Sequence, residues 1–142
     1  MPHDFSDLLK ELRLKVTPKR LALLAALAGS ATYLSPEELH GTLKREFDRL
    51  GLPTVYRNLE ELADLGVISR VLHPNRQLYY FFCENREHHH HFVCLSCRTV
   101  ADVECCGVEE IAGRLGVRVL SHVVQATGLC RECAAAEKVA AA

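Results

Sequence analysis

Long apolar runs are absent from this sequence, although 49% of its 142 residues are hydrophobic. None approaches the ~20 consecutive residues that a membrane-spanning helix needs. Residues 1–15 mix acidic and basic side chains and contain no apolar signal-peptide core. We therefore expect a globular, cytoplasmic protein that does not associate with a membrane and whose thiols stay reduced.

A strong net charge is also absent. The chain carries 17 basic and 18 acidic residues, and its formal net charge is −1. Proteins that attract nucleic acids through their overall field carry a positive excess. Any DNA-binding surface would therefore have to come from the local placement of basic side chains.

The His-Glu-x-x-His motif of many zinc hydrolases does not occur in the chain. A zinc hydrolase needs an open coordination position and a nearby general base, and this motif supplies the base. We therefore predict that the protein is not an enzyme. A zinc-storage protein is another alternative, but that function would leave the helical first half of the chain without a role.

Cysteine and histidine, by contrast, are abundant, with seven and eight residues respectively. An odd number of cysteines does not suit a framework made of disulfides alone. In a reducing compartment, clustered cysteines indicate metal ligands before they indicate disulfides. The sequence therefore favours a metal-binding protein.

Four of the cysteines form two Cys-x-x-Cys pairs, Cys94 with Cys97 and Cys130 with Cys133. A turn of this kind brings its two sulfur atoms to one point, so two such turns can supply a tetrahedron of thiolates. Four thiolates leave no open position on the metal, so we predict a structural Zn²⁺ ion. A redox dithiol is the alternative for a single pair, and the presence of two pairs disfavours it.

A run of four histidines, residues 88–91, precedes the first pair. On a strand, successive side chains face opposite sides, so this run can contribute to two metal sites. On one face we predict a site with sulfur, nitrogen and oxygen ligands, formed by Cys83, His89, His91 and Asp102. On the other face we predict an additional site, formed by His88, His90, Glu109 and His122.

Several of these predicted ligands also have a simpler interpretation. The histidine run can be a solvated loop, and His122 can be a core histidine. A cysteine beside Phe81 and Phe82 is more often a buried apolar thiol than a ligand. Cys105 and Cys106 receive no assignment.

The hydrophobic pattern predicts an α+β protein with two domains, residues 1–83 and 84–142. The first contains helices at about 5–12, 18–28, 36–47 and 51–66, then a hairpin of strands at 67–72 and 77–83. This order is that of a winged helix-turn-helix. The second is a small α/β domain with strands at 89–94, 99–103 and 118–126, a helix at 108–115 and a low-complexity tail at 134–142 that we expect to be frayed.

The fourth predicted helix divides into an apolar stripe, formed by Val55, Leu59 and Leu62, and a polar side. A recognition helix needs this division, with polar groups that reach base edges. The predicted contacts on its polar side are Thr54, Tyr56, Arg57 and Asn58. Basic side chains and a helix N-terminus also bind phosphates. The predicted phosphate contacts at the start of the second helix are Lys15, Thr17, Lys19 and Arg20. An ordinary amphipathic helix with a solvated face is the alternative.

Three segments together resemble the ferric uptake regulator family: P-T-V-Y-R-N-L, H-H-H-H-F-V-C-L-S-C and G-L-C-R-E-C. The resemblance extends from about Leu14 to Cys133. Members are dimeric, metal-dependent transcription repressors with an N-terminal winged helix and a C-terminal dimerisation domain. The resemblance thus implies a homodimer that binds double-stranded operator DNA, with Tyr56 and Arg57 in contact with it.

The resemblance also implies roles for the ligands. The four paired cysteines match the structural zinc site, and His89 and His91 match a regulatory site in the hinge. Asp102 matches a carboxylate that serves this site in peroxide-sensing members. His88, His90, Glu109 and His122 match a further site in the dimerisation domain.

Two departures from the family pattern bear on the regulatory metal. Many members place a histidine where this chain has Tyr33, and some zinc sensors place a carboxylate where it has Ser69. Cys83 falls where zinc-uptake regulators place a cysteine and iron or peroxide sensors place a carboxylate. The resemblance therefore implies a zinc-responsive regulator of metal-uptake genes, with Fe²⁺ or Mn²⁺ as other candidate metals. The alternative is an iron- or peroxide-responsive regulator of the same family.

Overall fold

The computed structural model describes residues 5–84, 89–104 and 106–141, and for residues 138–141 the backbone only. These residues fall into two compact units, divided after Glu84. Each unit has its own β-sheet, with two strands in the first and three in the second. Among the described residues, no helix is both long enough and apolar enough to cross a bilayer.

The first unit is a set of helices followed by a hairpin. Its elements are α1 (Phe5–Glu11), α2 (Pro18–Ala28), α3 (Pro36–Leu43), α4 (Leu52–Asp64), β1 (Ile68–Leu72) and β2 (Leu78–Phe82). The two strands are antiparallel, and a single bridge between Leu34 and Tyr80 adds the segment before α3 to the hairpin edge. The predicted winged helix-turn-helix is confirmed.

Local signals in the sequence account for the helix starts. The Thr17 hydroxyl accepts a hydrogen bond from the backbone N–H of Arg20 at 3.2 Å, and Pro18 occupies the first helical position of α2. At α3, Ser35 and Glu38 form a reciprocal capping box. These caps satisfy backbone donors that would otherwise lack partners inside the helix.

Helix α3 ends at Leu43, four residues before the predicted end at Phe47. The Glu46 N–H bonds to the Leu43 carbonyl three residues earlier, so residues 44–46 form turns in place of regular helix. The side chain of Phe47 still packs against the core. The apolar residue at 47 is therefore explained by packing of a turn and not by a longer helix.

The core of the first unit lies between its helices and the hairpin. The most deeply buried side chains are apolar, and they come from α1, α2, α3, α4 and the start of the hairpin: Leu9, Leu23, Leu24, Leu27, Leu39, Val55, Leu59, Leu62 and Val67. Each fully buried Leu or Val contributes roughly 1.5–3 kcal/mol relative to exposure. The first unit is therefore stabilised mainly by apolar packing.

The second unit is a three-stranded sheet with two helices. Its elements are β3 (His90–Cys94), β4 (Val100–Val103), α5 (Val108–Leu115), β5 (Gln125–Gly128) and α6 (Arg131–Ala141). Strand β3 is central, antiparallel to β4 and parallel to β5. Because β3 and β5 are parallel and Cys94 pairs with Gly128, both Cys-x-x-Cys turns follow the same edge of the sheet.

One prediction for the second unit is wrong. The strand expected at 118–126 is placed at Gln125–Gly128, and residues 117–124 lie outside the strands. Apolar alternation gives a segment the character of a strand, but a strand also needs a hydrogen-bonded neighbour. The tail continues as a helix to Ala141, consistent with the high helix propensity of its alanines.

Candidate metal centres and nucleic-acid interface

The two Cys-x-x-Cys turns bring four sulfur atoms together. The Sγ atoms of Cys94, Cys97, Cys130 and Cys133 all lie within 4.8 Å of one another. The distance from Cys97 Sγ to Cys130 Sγ is 3.7 Å. In a tetrahedral Zn²⁺ site with Zn–S bonds of about 2.3 Å, neighbouring sulfurs are about 3.8 Å apart. The four thiols therefore fit one Zn²⁺ ion with only small adjustments.

Backbone groups around this cluster prepare it for a cation. Burial alone would raise the pKa of Cys94, but backbone N–H groups of Cys130, Cys97 and Ser96 bond to its sulfur and lower the pKa to about 6. Two of these bonds measure 3.4 Å, from Cys130, and 3.5 Å, from Cys97. A thiolate is the form that binds metal, so the lowered pKa favours the metal-binding form of Cys94.

Neighbouring groups also shift the pKa values of Cys97 and Cys130. Hydrogen bonds from the side chain and backbone of Thr99 lower the pKa of Cys97. The backbone N–H of Cys133 acts to lower the pKa of Cys130, but contacts with the other thiols raise it to about 12. Four anionic sulfurs repel one another at this distance, and a divalent cation removes that repulsion.

A second group of candidate ligands lies on the β3–β4 pair and on the residue just before β3. His89 Nε2 lies 3.0 Å from His91 Nε2, and the Asp102 carboxylate lies 3.8 Å and 3.5 Å from these two nitrogens. The register pairs His91 directly with Asp102, which explains their proximity. Burial and the neighbouring His89 lower the pKa of His91, so its neutral form, which binds metals, is favoured.

Three positions in the first unit bear on the same predicted site. Cys83 follows β2 directly and is half-buried. Tyr33 is fully buried, and its ring packs edge-on against Tyr79 with centroids 5.0 Å apart. Ser69 lies in β1, paired with Phe81. Tyr33 thus has the surroundings of a core residue.

A third group differs from the predicted additional site. His90, Cys106 and His122 have ligand atoms within 4.8 Å of one another. Glu109 lies on the first turn of α5, is exposed, and is not part of this group among the described residues. His88 lies outside the described residues. Cys106 was not among the predicted ligands, because spacing along the chain alone does not connect it to His90 and His122.

Helix α4 shows the expected division into two sides, with one exception. Val55, Leu59 and Leu62 are fully buried, whereas Tyr56 and Arg57 are exposed. The Tyr56 hydroxyl donates to the Glu37 carboxylate on α3, which orients the ring. The prediction that Asn58 lies on the open polar side is wrong, since it is 7% exposed.

Asn58 is buried where it forms a hydrogen bond with the Arg20 side chain. Arg20 Nε donates to Asn58 Oδ1 at 2.9 Å, Nη1 donates to the Lys15 carbonyl at 2.9 Å, and Nη2 is paired with the Glu61 carboxylate. Asn58 Nδ2 donates in turn to the Thr54 carbonyl at 3.0 Å. Arg20 and Asn58 therefore join α2 to α4 and fix the orientation of α4.

The hairpin is tied to α4 by a second polar network. Arg70 on β1 donates to Glu60 at 2.8 Å and to Asp64 at 2.6 Å. The Tyr80 hydroxyl on β2 donates to the same Glu60 carboxylate. Hydrogen bonds from Arg70 and then Tyr80 lower the pKa of Glu60, so the carboxylate stays ionised. The network fixes the wing against α4.

Comparison with known proteins gives a consistent result. The sequence profile of the ferric uptake regulator family matches residues 11–127. The ferric uptake regulation protein of Staphylococcus epidermidis is 31% identical over 132 residues, covering 92% of this chain and 94% of that protein. The peroxide operon regulator of Bacillus subtilis is 26% identical over 135 residues, covering 92% of both proteins.

Solved structures agree with the sequence comparisons. A zinc uptake regulator complexed with zinc and DNA has a TM-score of 0.74 at 26% identity, covering 94% of this chain and 92% of that chain. The ferric uptake regulator Fur of Helicobacter pylori, described as having three functional metal-binding sites, has a TM-score of 0.65 at 25% identity. That match covers 92% of this chain and 89% of the other.

Proposed function

This chain belongs to the ferric uptake regulator family, and on that premise we propose that it is a zinc-responsive repressor of metal-uptake genes in the cytoplasm. Family members are transcriptional regulators, and the chain is a metal-dependent DNA-binding repressor with a structural Zn²⁺ site. The proposal adds the identity of the regulatory metal, its ligands, the DNA contacts and the homodimer.

The observation that carries the proposal is the approach of His89, His91 and Asp102. Two imidazoles and one carboxylate form an incomplete coordination shell for a divalent ion. We assign the fourth ligand to Cys83, an assignment that the family resemblance supports. A thiolate together with imidazoles favours zinc over iron or manganese, because Zn²⁺ accepts tetrahedral sulfur and nitrogen ligands.

Contact with DNA is assigned to the exposed side of α4 and to the start of α2. Tyr56 and Arg57 are the base-reading candidates, since both side chains are exposed beside a buried stripe. Thr54 on the same helix, Lys15 before α2 and Lys19 in the first turn of α2 are assigned to the DNA backbone. Arg20 and Asn58 orient the helix through their hydrogen bonds, and Thr17 caps α2.

A homodimer is supported by the exposed apolar surface of the second unit. Large apolar side chains on α5 and on residues 117–124 are 45–92% exposed: Ile111, Leu115, Val117, Leu120, Val123 and Val124. So many exposed large apolar side chains within one short stretch of chain favour a protein–protein interface. A second copy of this chain is the partner we assign, because two-fold symmetric operators are bound by symmetric dimers.

The regulatory metal acts by favouring one conformation of the dimer. A ligand shifts a conformational equilibrium only by binding one state more tightly than the other. His89, His91 and Asp102 belong to one unit, whereas Cys83 belongs to the other. Cys83 is therefore the ligand through which the metal restrains the DNA-binding unit.

The test is the response of operator binding to buffered zinc, ferrous iron and manganese in Cys83→Ala and Cys83→Asp. We expect Cys83→Ala to keep its structural zinc and its dimer but to lose metal-stimulated DNA binding. Cys83→Asp should recover stimulation with a weaker preference for zinc, since a carboxylate suits harder ions. Full zinc-dependent binding by Cys83→Ala would overturn the ligand assignment.

An iron- or peroxide-responsive regulator is the second candidate. The carboxylate of Asp102 beside two imidazoles favours it, because that trio alone suits Fe²⁺ or Mn²⁺. The similarity to the peroxide operon regulator points in the same direction. Stimulation of the unaltered protein by ferrous iron or manganese, and not by zinc, would establish this alternative. A zinc hydrolase or a zinc-storage protein has no comparable support.

A further inference from the structure

The Arg20 side chain contacts two parts of the first unit that the proposed function places on DNA. It is only 13% exposed, so most of it lies beneath the surface. Nη1 donates to the backbone carbonyl of Lys15 at 2.9 Å, and Nε donates to Asn58 Oδ1 on α4 at the same distance. Nη2 is paired with the Glu61 carboxylate, one turn further along α4. One guanidinium group therefore connects the segment before α2 with α4.

The segment that carries Lys15 is short and irregular. Residues 14–17 lie between α1 and α2, where Leu14 and Val16 pack against the core and Lys15 is exposed. Apolar packing is non-directional, so it holds this segment against the core without fixing its exact position. A hydrogen bond is directional, and the bond from Arg20 to the Lys15 carbonyl supplies that restraint.

The partner groups on α4 give this restraint a rigid anchor. Asn58 is 7% exposed, and its Nδ2 donates to the Thr54 carbonyl at 3.0 Å, so its amide cannot turn freely. The three partners of Arg20 lie 5, 38 and 41 residues away from it in the sequence. A guanidinium is planar and its donors are fixed relative to one another. It therefore holds these distant groups at a set spacing.

We propose that Arg20 is a positioning residue that sets the distance between two DNA contacts, Lys15 on the DNA backbone and Arg57 on a base. Glu61 acts with Arg20 by holding its guanidinium in place, so an acidic residue on α4 supports binding to an anionic partner. The inference rests on the proposed function, from which it takes both contacts. Phosphate contacts fix the register of a protein on the duplex. Groups that must act together need to be held to within about 0.5 Å.

Arg20→Lys separates positioning from charge. Lysine keeps the positive charge but places one compact ammonium on a flexible stem, so it cannot reproduce the three fixed bonds. In the zinc-loaded protein we expect operator affinity to fall about 5- to 150-fold, the loss of roughly one base contact. Affinity for a duplex of unrelated sequence, and the dependence of that affinity on salt, should not change, because the charge is kept. Arg49→Lys, at an exposed position in the loop before α4, is the matched control.

Glu61→Ala tests the sign of the effect. Removing a negative charge beside DNA ordinarily strengthens binding. If Glu61 acts by holding Arg20, its removal should instead weaken operator binding about 2- to 10-fold, the range of one lost hydrogen bond. The Glu61 side chain is 43% exposed, so this variant should fold even if Arg20→Lys does not. Glu46→Ala removes an exposed carboxylate from the turn after α3 and should not weaken binding.

A double-mutant cycle tests the link to Lys15 directly. Arg20 bonds to the backbone of Lys15 and not to its side chain. Lys15→Ala should therefore cost less operator affinity in the Arg20→Lys protein than in the unaltered protein, because the lysine is already displaced. A role of Arg20 in stability alone would leave the two losses additive once every variant is shown by chemical denaturation to be folded.

Three results would overturn the inference while leaving the DNA surface in place. They are additive losses in the cycle, an equal loss of operator and unrelated-duplex affinity in Arg20→Lys, and stronger operator binding by Glu61→Ala. The second of these would make Arg20 itself a phosphate contact. If Lys15→Ala and Arg57→Ala both bind operator normally, the proposed DNA surface is wrong, and this inference is wrong with it.

Discussion

The two units of this chain are stabilised by different means. The first buries a large set of leucine and valine side chains between four helices and a hairpin. In the described part of the second, the fully buried side chains are His90, Val93 and Cys94. Two of these three residues are candidate metal ligands.

The difference shows how a short segment can fold without a large core. A domain of this size buries too small a fraction of its surface for apolar packing alone to stabilise it reliably. Metal binding can supply that free energy, because the ligands are assembled only in the folded state. The second unit should therefore depend on metal for its fold, whereas the first should not.

Cys97→Ser gives the largest expected effect. Removing one of four thiolates should release the structural zinc, which contributes on the order of 10 kcal/mol of folding free energy in small zinc domains. We expect loss of about one zinc per chain and of the dimer, with hydrogen exchange increasing in residues 90–128 and little in α2 and α4. Zinc analysis, size-exclusion chromatography and hydrogen-exchange mass spectrometry measure these changes.

Ser96→Ala is the control for that experiment, since it alters the same turn without removing a sulfur ligand. It should keep its zinc and its dimer. A stable, dimeric Cys97→Ser protein with unchanged zinc content would contradict the structural role of the cluster. Equal loss of protection in both units would contradict the distinction between them.

Leu59→Ala tests the stabilisation of the first unit by apolar packing. Leu59 is fully buried in α4, and truncating such a side chain costs about 2–5 kcal/mol. We expect lower stability of the first unit in chemical denaturation, with unchanged zinc content. Leu65→Ala, at a position 43% exposed, should change stability by less than about 0.5 kcal/mol. Loss of zinc from Leu59→Ala would show that the units do not fold independently.

Arg57→Ala should have a smaller effect, and on DNA binding alone. If Arg57 contacts a base, operator affinity should fall by about 1–3 kcal/mol per half-site, with stability and metal content unchanged. Arg49→Ala removes an equally charged, exposed side chain from the loop before α4 and serves as the control. Titrations at several salt concentrations would separate base contact from phosphate contact. Unchanged affinity throughout would move the DNA-binding surface away from this side of α4.

The sequence predicted the features that depend on local spacing. The Cys-x-x-Cys pairs, the caps of α2 and α3 and the stripe of α4 each follow from a few neighbouring residues, and the structure contains them. The sequence could not place features that depend on distant partners. Asn58 is buried where its amide oxygen accepts a hydrogen bond from Arg20, 38 residues away in the sequence.

The structures at Cys106 and at residues 117–124 also depend on partners that are distant in the sequence. Cys106 becomes a candidate ligand only when the fold brings it beside His122, 16 residues later. The alternating apolar pattern at 117–124 is typical of a strand, but no strand forms there because a strand also needs a hydrogen-bonded neighbour. The errors therefore fall where long-range contacts decide the outcome.

The parallel pairing of β3 and β5 also determines how the structural zinc exchanges with its surroundings. Cys97 and Cys130 are 33 residues apart in sequence, and the Leu95 N–H bonds to the Gly128 carbonyl at 2.8 Å beside them. When one Cys-x-x-Cys turn releases the ion, the other still holds it, at an effective concentration on the order of millimolar for the first turn. Recapture is then faster than escape unless the strands also separate. The structural ion should therefore exchange slowly even when free zinc is scarce. A change in the concentration of free zinc can then alter DNA binding only through another site that releases its ion more readily.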